Sequence, residues 1–584
     1  MQFICCLTLA LALAAPTLAQ TEVARIHGTV AEEHLGWKVE FVGDVDNDGW
    51  SDLAVASYTT SSSVAAPLHV YSGRTSQRIR TWTAPASPER FGYSLAGVGD
   101  LDGDGHDDVL VGASAYPMVA WGFPPNPPLV GGYAQLISGA SGSVLHTFTP
   151  PVGAQRFGYA VCSFDDVDGD GTADMLIGAP GATGDAGYVY IYSGATFAQL
   201  RRDGLTLATN CGAALERFED VTGDGIDEYA VGAPAFEPYN WTAHQYYPSP
   251  GGKVALIDGA SGLELWSDFH GPSYWGAQLG WSLASLGDID ADGVGDLAVG
   301  MRDEGDPLTV ACHSHGEVRV YSGATGAILR SHQRLSLCGT YGASVSAAGD
   351  IDGDGVLDYV GGEPGWWLGL DDGHDLRIFS GSSGQEIARV SADLQSPYGT
   401  AFGAALTSGD ANGDGLIDLV VGIPFDDALG HDTGAFAIYT IVRTPTTYCE
   451  SEINSLGCTP TIGSSGVCSA SLASAFDITA SNVLNQKIGF CFYGLKPRQT
   501  PFQGGFMCIV APTKRTPNQS SNGAAPPASD CSGAFTFDFN ARIQSGVDPQ
   551  LVAGQEVFAQ YWSRDPQDAS TTNLTDALAL FITP

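Results

Sequence analysis

Short apolar runs alternate with acidic, glycine-bearing loops seven times along this chain. Leu53-Ala-Val-Ala and Leu419-Val-Val-Gly are two of the runs, and both read as strands. A third strand follows in each unit, as in Val189-Tyr-Ile-Tyr-Ser-Gly and Val318-Arg-Val-Tyr-Ser-Gly. A fourth ends it, as in Ile328-Leu-Arg-Ser-His. Four short strands separated by turn signals predict one propeller blade. The unit recurs about every 60 residues, a period that marks one supersecondary element copied around a ring or along a solenoid. The expected fold class is therefore all-β.

The loop between the first two strands reads D-x-D-x-D-G-x-x-D. Its first copy is Asp44, Asp46, Asp48 and Asp52 around Gly49. Four others keep all the carboxylates: Asp100, Asp102, Asp104 and Asp108; Asp166, Asp168, Asp170 and Asp174; Asp288, Asp290, Asp292 and Asp296; Asp350, Asp352, Asp354 and Asp358. The seventh carries Asn412 beside Asp410, Asp414 and Asp418. The fourth has Asp220, Thr222, Asp224 and Glu228, and a hydroxyl there is the poorest ligand of the series. Ca²⁺ takes six to eight oxygens, and alternate carboxylates at positions 1, 3 and 5 can converge on one ion. Glycine at position 6 permits the sharp turn, and the acid at position 9 is expected to close the cage. Up to seven structural Ca²⁺ ions follow. An EF-hand needs a carboxylate at position 12 and helical flanks. Here position 12 is Val55, Val111, Ile177, Val231, Val299, Gly361 and Val421, all within strand-like runs, so that reading fails.

Around the loops stand Phe91-Gly-Tyr, Phe157-Gly-Tyr, Phe402-Gly-Ala, Leu35-Gly-Trp, Leu279-Gly-Trp and Tyr341-Gly-Ala upstream. Val111-Gly-Ala-Ser, Ile177-Gly-Ala-Pro, Val231-Gly-Ala-Pro and Val421-Gly-Ile-Pro lie downstream. These residues resemble the FG-GAP repeat of integrin α-subunit head domains over about residues 21–443. The resemblance implies a seven-bladed β-propeller with Ca²⁺ in hairpin loops on one face. It also implies adhesion or ligand binding, commonly on the other face. Integrin heads carry the loop in only some blades, and here every repeat has a version. Activation through a partner subunit does not carry over. The seventh repeat lacks its own fourth strand, and Glu22-Val-Ala-Arg-Ile matches Glu386-Ile-Ala-Arg-Val of the sixth, so residues 22–26 are expected to complete it.

Composition narrows the function. The formal charge is −40, from 65 acidic and 25 basic residues, and much of the surplus sits in the loops. Nucleic acid is excluded as a partner, because phosphate contact needs clustered Lys and Arg. Residues 1–19 read as a signal peptide with the core Leu7-Thr-Leu-Ala-Leu-Ala-Leu-Ala-Ala. No later apolar run is long enough to span a membrane. The expected location is secreted or cell-surface. Domain bounds are 1–19, a propeller over 20–443, and a small disulfide-rich β-sandwich-like domain over 444–584.

That last segment holds Cys449, Cys458, Cys468, Cys491, Cys508 and Cys531, an even set that implies disulfides in an exported chain. Cys312 with Cys338 and Cys162 with Cys211 are candidate pairs in the propeller. Tyr448-Cys449, Asn454-Ser-Leu-Gly-Cys-Thr-Pro and Trp562-Ser-Arg-Asp-Pro resemble a C-terminal module of secreted planctomycete-type bacterial proteins. Aromatic residues in long loops opposite the acidic ones, Trp121, Trp241, Tyr246, Trp275, Trp366 and Trp367, form a candidate ligand face for an extracellular protein or glycan. No nucleophile elbow, zincin motif or phosphate loop occurs, so no catalytic residue is assigned. Rival readings are an extracellular polysaccharide hydrolase or lyase and a passive surface-layer component.

Overall fold

The computed structural model describes residues 18–58, 66–83, 90–114, 131–181, 187–206, 210–234, 239–240, 245–246, 252–270, 278–302, 316–334, 340–364, 374–392, 400–413, 416–472 and 474–583. They form two compact units, one of Gln20–Gly413 with Ile417–Thr440 and one built mainly from Ile441 onward.

Among the described residues the first unit contains seven four-stranded sheets. Lys38–Phe41, Leu53–Ala56, Pro67–Tyr71 and Arg78–Thr83 make the first. The first strands of successive sheets touch in sequence, and the last, Leu406–Gly409, returns to Lys38–Phe41. The arrangement is a β-propeller. Second strands such as Asp174–Ala179 and Asp418–Ile423 are buried along their whole length. Their side chains meet a neighbouring sheet on each face, which is why they read as unbroken apolar runs. Fourth strands such as Gln199–Asp203 are largely exposed. The seventh sheet runs Leu18–His27, Ala435–Arg443, Asp418–Ile423, Leu406–Gly409, so the N-terminal strand supplies its missing edge, as the Glu22–Ile26 match predicts.

The Phe-Gly and Gly-Ala-Pro signatures meet between sheets. Gly36, Gly92, Gly158, Gly212, Gly280, Gly342 and Gly403 all have left-handed φ, between 78 and 88°. A Cβ on Gly178, Gly232 or Gly300 would lie 2.0 Å from the carbonyl oxygen of Gly212, Gly280 or Gly342 in the next sheet. On Gly422 it would lie 2.1 Å from the Gly36 oxygen, so the same contact closes the ring. Cys211 stands where other repeats place phenylalanine, leucine or tyrosine before this glycine and is core packing. That overturns the Cys162–Cys211 pair: both thiols are free within the apolar layer between the third and fourth sheets. Cys312 and Cys338 lie outside the described residues.

The second unit stacks a six-stranded sheet, including Ile488–Gly494, Glu556–Arg564 and Thr572–Phe581, on a three-stranded sheet of Thr461–Ser465, Asp477–Val483 and Gly533–Asp538. Ile478, Phe535, Val557, Tyr561 and Leu578 from the two sheets share one core. Disulfides join Cys449 to Cys508 and Cys458 to Cys531. Cys468 and Cys491 stay free, correcting the expectation that all six pair; both are buried in the apolar core and serve there as small hydrophobes. Among the described residues no helix is long and apolar enough to cross a membrane.

Candidate metal centres

Each acidic loop joins the first and second strands of a sheet, and its carboxylates fold the loop before any ion is considered. Asp44 Oδ1 accepts the Asp48 N–H at 2.9 Å, and Oδ2 accepts that of Gly49 at 2.8 Å. Asp48 Oδ1 accepts the Trp50 N–H at 3.1 Å. Gly49 sits at φ 92°, and Gly105, Gly171, Gly225, Gly293 and Gly355 repeat that conformation. Position 4 is left-handed too: Asn47, Gly103, Gly169, Gly223, Ala291, Gly353 and Gly413. With these two turns the first loop gathers its carboxylates at positions 1, 3 and 5, and three others gather those at positions 1, 3 and 9.

Position 9 does more than close a cage. Asp52 is fully buried. Its Oδ2 accepts the N–H groups of Val45 and Asp46 at 2.9 and 3.1 Å, and its Oδ1 accepts that of Gly73 at 3.1 Å. Gly73 belongs to a Ser-Gly pair at the end of the third strand. Asp108 with Gly139, Asp174 with Gly194, Asp296 with Gly323 and Asp358 with Gly381 repeat the link. This acid therefore ties loop to sheet. Desolvation by burial pushes Asp52 and Asp358 up to about 7, and Asp108 and Asp296 up to about 6. Asp174 and Glu228 are raised for the same reason.

Loops of neighbouring sheets are also joined, by residues the motif does not flag. Asp107 accepts the Asp44 N–H at 2.7 Å and donates its own N–H to the Asp44 carbonyl at 3.0 Å. Asp165 accepts the Asp227 N–H at 3.2 Å, and Glu219 accepts that of Gly295. Only the recurrence of acid beside the motif, at Asp107, Asp165, Glu219 and Asp227, could have signalled them.

The donor set fits a hard divalent cation. Oxygen atoms of Asp44, Asp46 and Asp48 lie within 4.8 Å of one another, as do those of Asp100, Asp102 and Asp108. The same holds for Asp166, Asp168 and Asp174, and for Asp288, Asp290 and Asp296. Asp46 Oδ1 is buried without a hydrogen-bond partner, a cost a cation would remove. Asp46 and Asp352 are raised by burial and by the neighbouring carboxylates. In the fourth loop Thr222 Oγ1 lies 3.5 Å from Asp220 Oδ1, and both oxygens of Glu228 accept N–H groups of the loop. In the seventh, Asp410 accepts the Gly413 N–H at 2.8 Å and Asp418 that of Ala411 at 3.1 Å. Asp414 lies outside the described residues, as do Trp121, Trp241, Trp275, Trp366, Trp367 and the side chain of Tyr246.

A β-propeller with acidic hairpins at the head of its sheets is the class these features define. Comparison with known proteins agrees. The family described as FG-GAP-like repeat matches residues 44–111, and FG-GAP repeat matches residues 157–192. Integrin alpha-5 of Xenopus laevis is 29% identical over 228 residues, 36% of this chain and 20% of that protein. Integrin alpha-PS2 of Drosophila melanogaster is 31% identical over 236 residues, 36% and 15% of the two chains. Integrin alpha-V of Gallus gallus is 33% identical over 100 residues, 16% and 10%. The chain carries FG-GAP repeats and resembles the integrin alpha N-terminal propeller, while spanning a fifth or less of these relatives.

Proposed function

We propose that this chain is an exported binding module: a propeller rigidified by Ca²⁺ that holds an extracellular protein or glycan and performs no catalysis. The observation that carries this reading is the orphaned Asp46 oxygen inside a cluster of three carboxylates, in a loop type repeated around the ring. When bound, Ca²⁺ neutralises the packed carboxylates of each loop. The protein's own groups do the rest. Position 1 orders the turn, position 9 locks it to the third strand, and Asp107, Asp165 and Glu219 couple loop to loop. A ring stiffened in this way is a rigid scaffold for a binding face. Ca²⁺ in the loops would hold their carboxylates ionised, and the position-9 acids are fully buried, which leaves these groups unsuited to general acid–base work.

An array of glycans and matrix proteins, probed with Ca²⁺ and with chelator, tests the reading. Binding that needs Ca²⁺ and is lost in W366A/W367A is the expected result. Turnover of a polysaccharide in the same assay, without stable binding, would replace the adhesive reading with an enzymatic one.

A further inference from the structure

Where the ring closes, residues 28–35 lie along the hairpin that joins the second and third strands of the seventh sheet. The Glu32, His34 and Leu35 N–H groups donate to the carbonyls of His431, Asp432 and Thr433 at 3.0, 3.1 and 3.1 Å. This pairing gathers side chains of a kind the acidic loops lack. Donor atoms of Asp427, His431 and Asp432 lie within 4.8 Å of one another. His431 Nδ1 is 3.0 Å from Asp432 Oδ2, and Asp427 Oδ1 accepts the Asp432 N–H at 2.7 Å.

His34 approaches Asp432 of this group from the other segment. Its side chain is 4% exposed. Its Nδ1 stands 2.8 Å from the Tyr58 carbonyl and 3.0 Å from that of Glu32. Carbonyls only accept, so Nδ1 carries the hydrogen and the neutral ring presents a lone pair at Nε2. That nitrogen has no hydrogen bond: its nearest charged neighbour, Asp432 Oδ2, is 3.8 Å away. Two ligands sharing a tetrahedral metal at about 2.0–2.1 Å stand roughly 3.3 Å apart, close to the 3.8 Å between His34 Nε2 and Asp432 Oδ2. Ligating histidines characteristically donate their other ring N–H to a backbone carbonyl, as His34 does.

We propose that His34, Asp427, His431 and Asp432 bind a borderline divalent transition metal, of which Zn²⁺ is the type, clasping the start of the first repeat to the last sheet. Two imidazoles with two carboxylates favour such an ion, whereas the all-oxygen loops favour Ca²⁺. The site stands apart from the acidic loops in sequence and in ligand chemistry.

The test uses the full chain saturated with Ca²⁺, titrated with ZnCl₂ by calorimetry and with CoCl₂ by visible absorption. One further ion per chain is expected, with Co²⁺ d–d bands of a nitrogen-bearing site and a Zn²⁺-dependent rise in Tm. H431A, at an exposed residue, and D432N are each expected to weaken Zn²⁺ by at least about tenfold while the Ca²⁺-loaded Tm is unchanged. No Zn²⁺ uptake over saturating Ca²⁺ overturns the proposal. So does uptake that persists unchanged in the H431A/D432N double variant, which would place the ion elsewhere.

Discussion

At the scale of single residues, the acid at position 9 is the most exposed to test. In the cation-free protein burial raises Asp52 and Asp358 to about 7, and Asp108 and Asp296 to about 6. Their unfolded values lie near 3.9. The stability these four contribute is complete below about pH 4 and is lost as pH rises through 6 to 7. Ca²⁺ favours the ionised form, so its benefit grows over the same window. Thermal melts of protein dialysed with and without Ca²⁺ are expected to diverge as pH rises from 5 to 7.5; equal gaps at the two pH values refute this. D358N removes a charge and turns an amide N–H toward backbone donors, and a loss of about 1–3 kcal/mol is expected by urea melts. Gly300 offers a steric contrast. G300A brings a Cβ to 2.0 Å from the Gly342 oxygen and should cost about 1–3 kcal/mol whether or not Ca²⁺ is present. At Gly293 a Cβ meets nothing, and G293A pays only for its φ of 94°, about 1–2 kcal/mol.

At the scale of elements, the repeating strands were legible because short apolar runs and glycine turns are local signals. The loop was legible as chemistry, since five copies keep every carboxylate. The role of the Ser-Gly pair was not, although Val189-Tyr-Ile-Tyr-Ser-Gly is plain in the chain. Its glycine donates across the sheet to position 9, a contact that exists only once three strands are in register. The cysteines teach the same lesson. Parity suggested six paired residues in the second unit, yet burial keeps Cys468 and Cys491 as thiols. A thiol titration should find these two and Cys162 and Cys211 unreactive in the native protein and reactive in denaturant. Removing the Cys458–Cys531 bond as C458S/C531S should cost the second unit about 2–4 kcal/mol.

At the scale of the molecule, stability is a property of the closed ring. Deleting residues 18–27 strips the edge from the Ala435–Arg443 strand and leaves its backbone groups unpaired. The truncated chain is expected to melt at least several degrees lower and to self-associate, measured by calorimetry and light scattering. A truncated protein that stays monomeric with unchanged Tm contradicts the closure. If the loops hold Ca²⁺ as proposed, each occupied site would add about 2.7 kcal/mol at a hundredfold excess over its Kd, and chelation should produce a large fall in Tm.

The sequence by itself determined the repeat, its strands, the ligand chemistry of the loops and the strand that completes the seventh sheet. All four rest on patterns within a few residues or on direct likeness between repeats. Only the tertiary structure decided why the signature glycines are glycine, what holds position 9, which cysteines pair, and that His34 meets Asp432. Those are contacts between segments far apart in the chain, and no local spacing encodes the distance between surfaces that meet only when the ring closes.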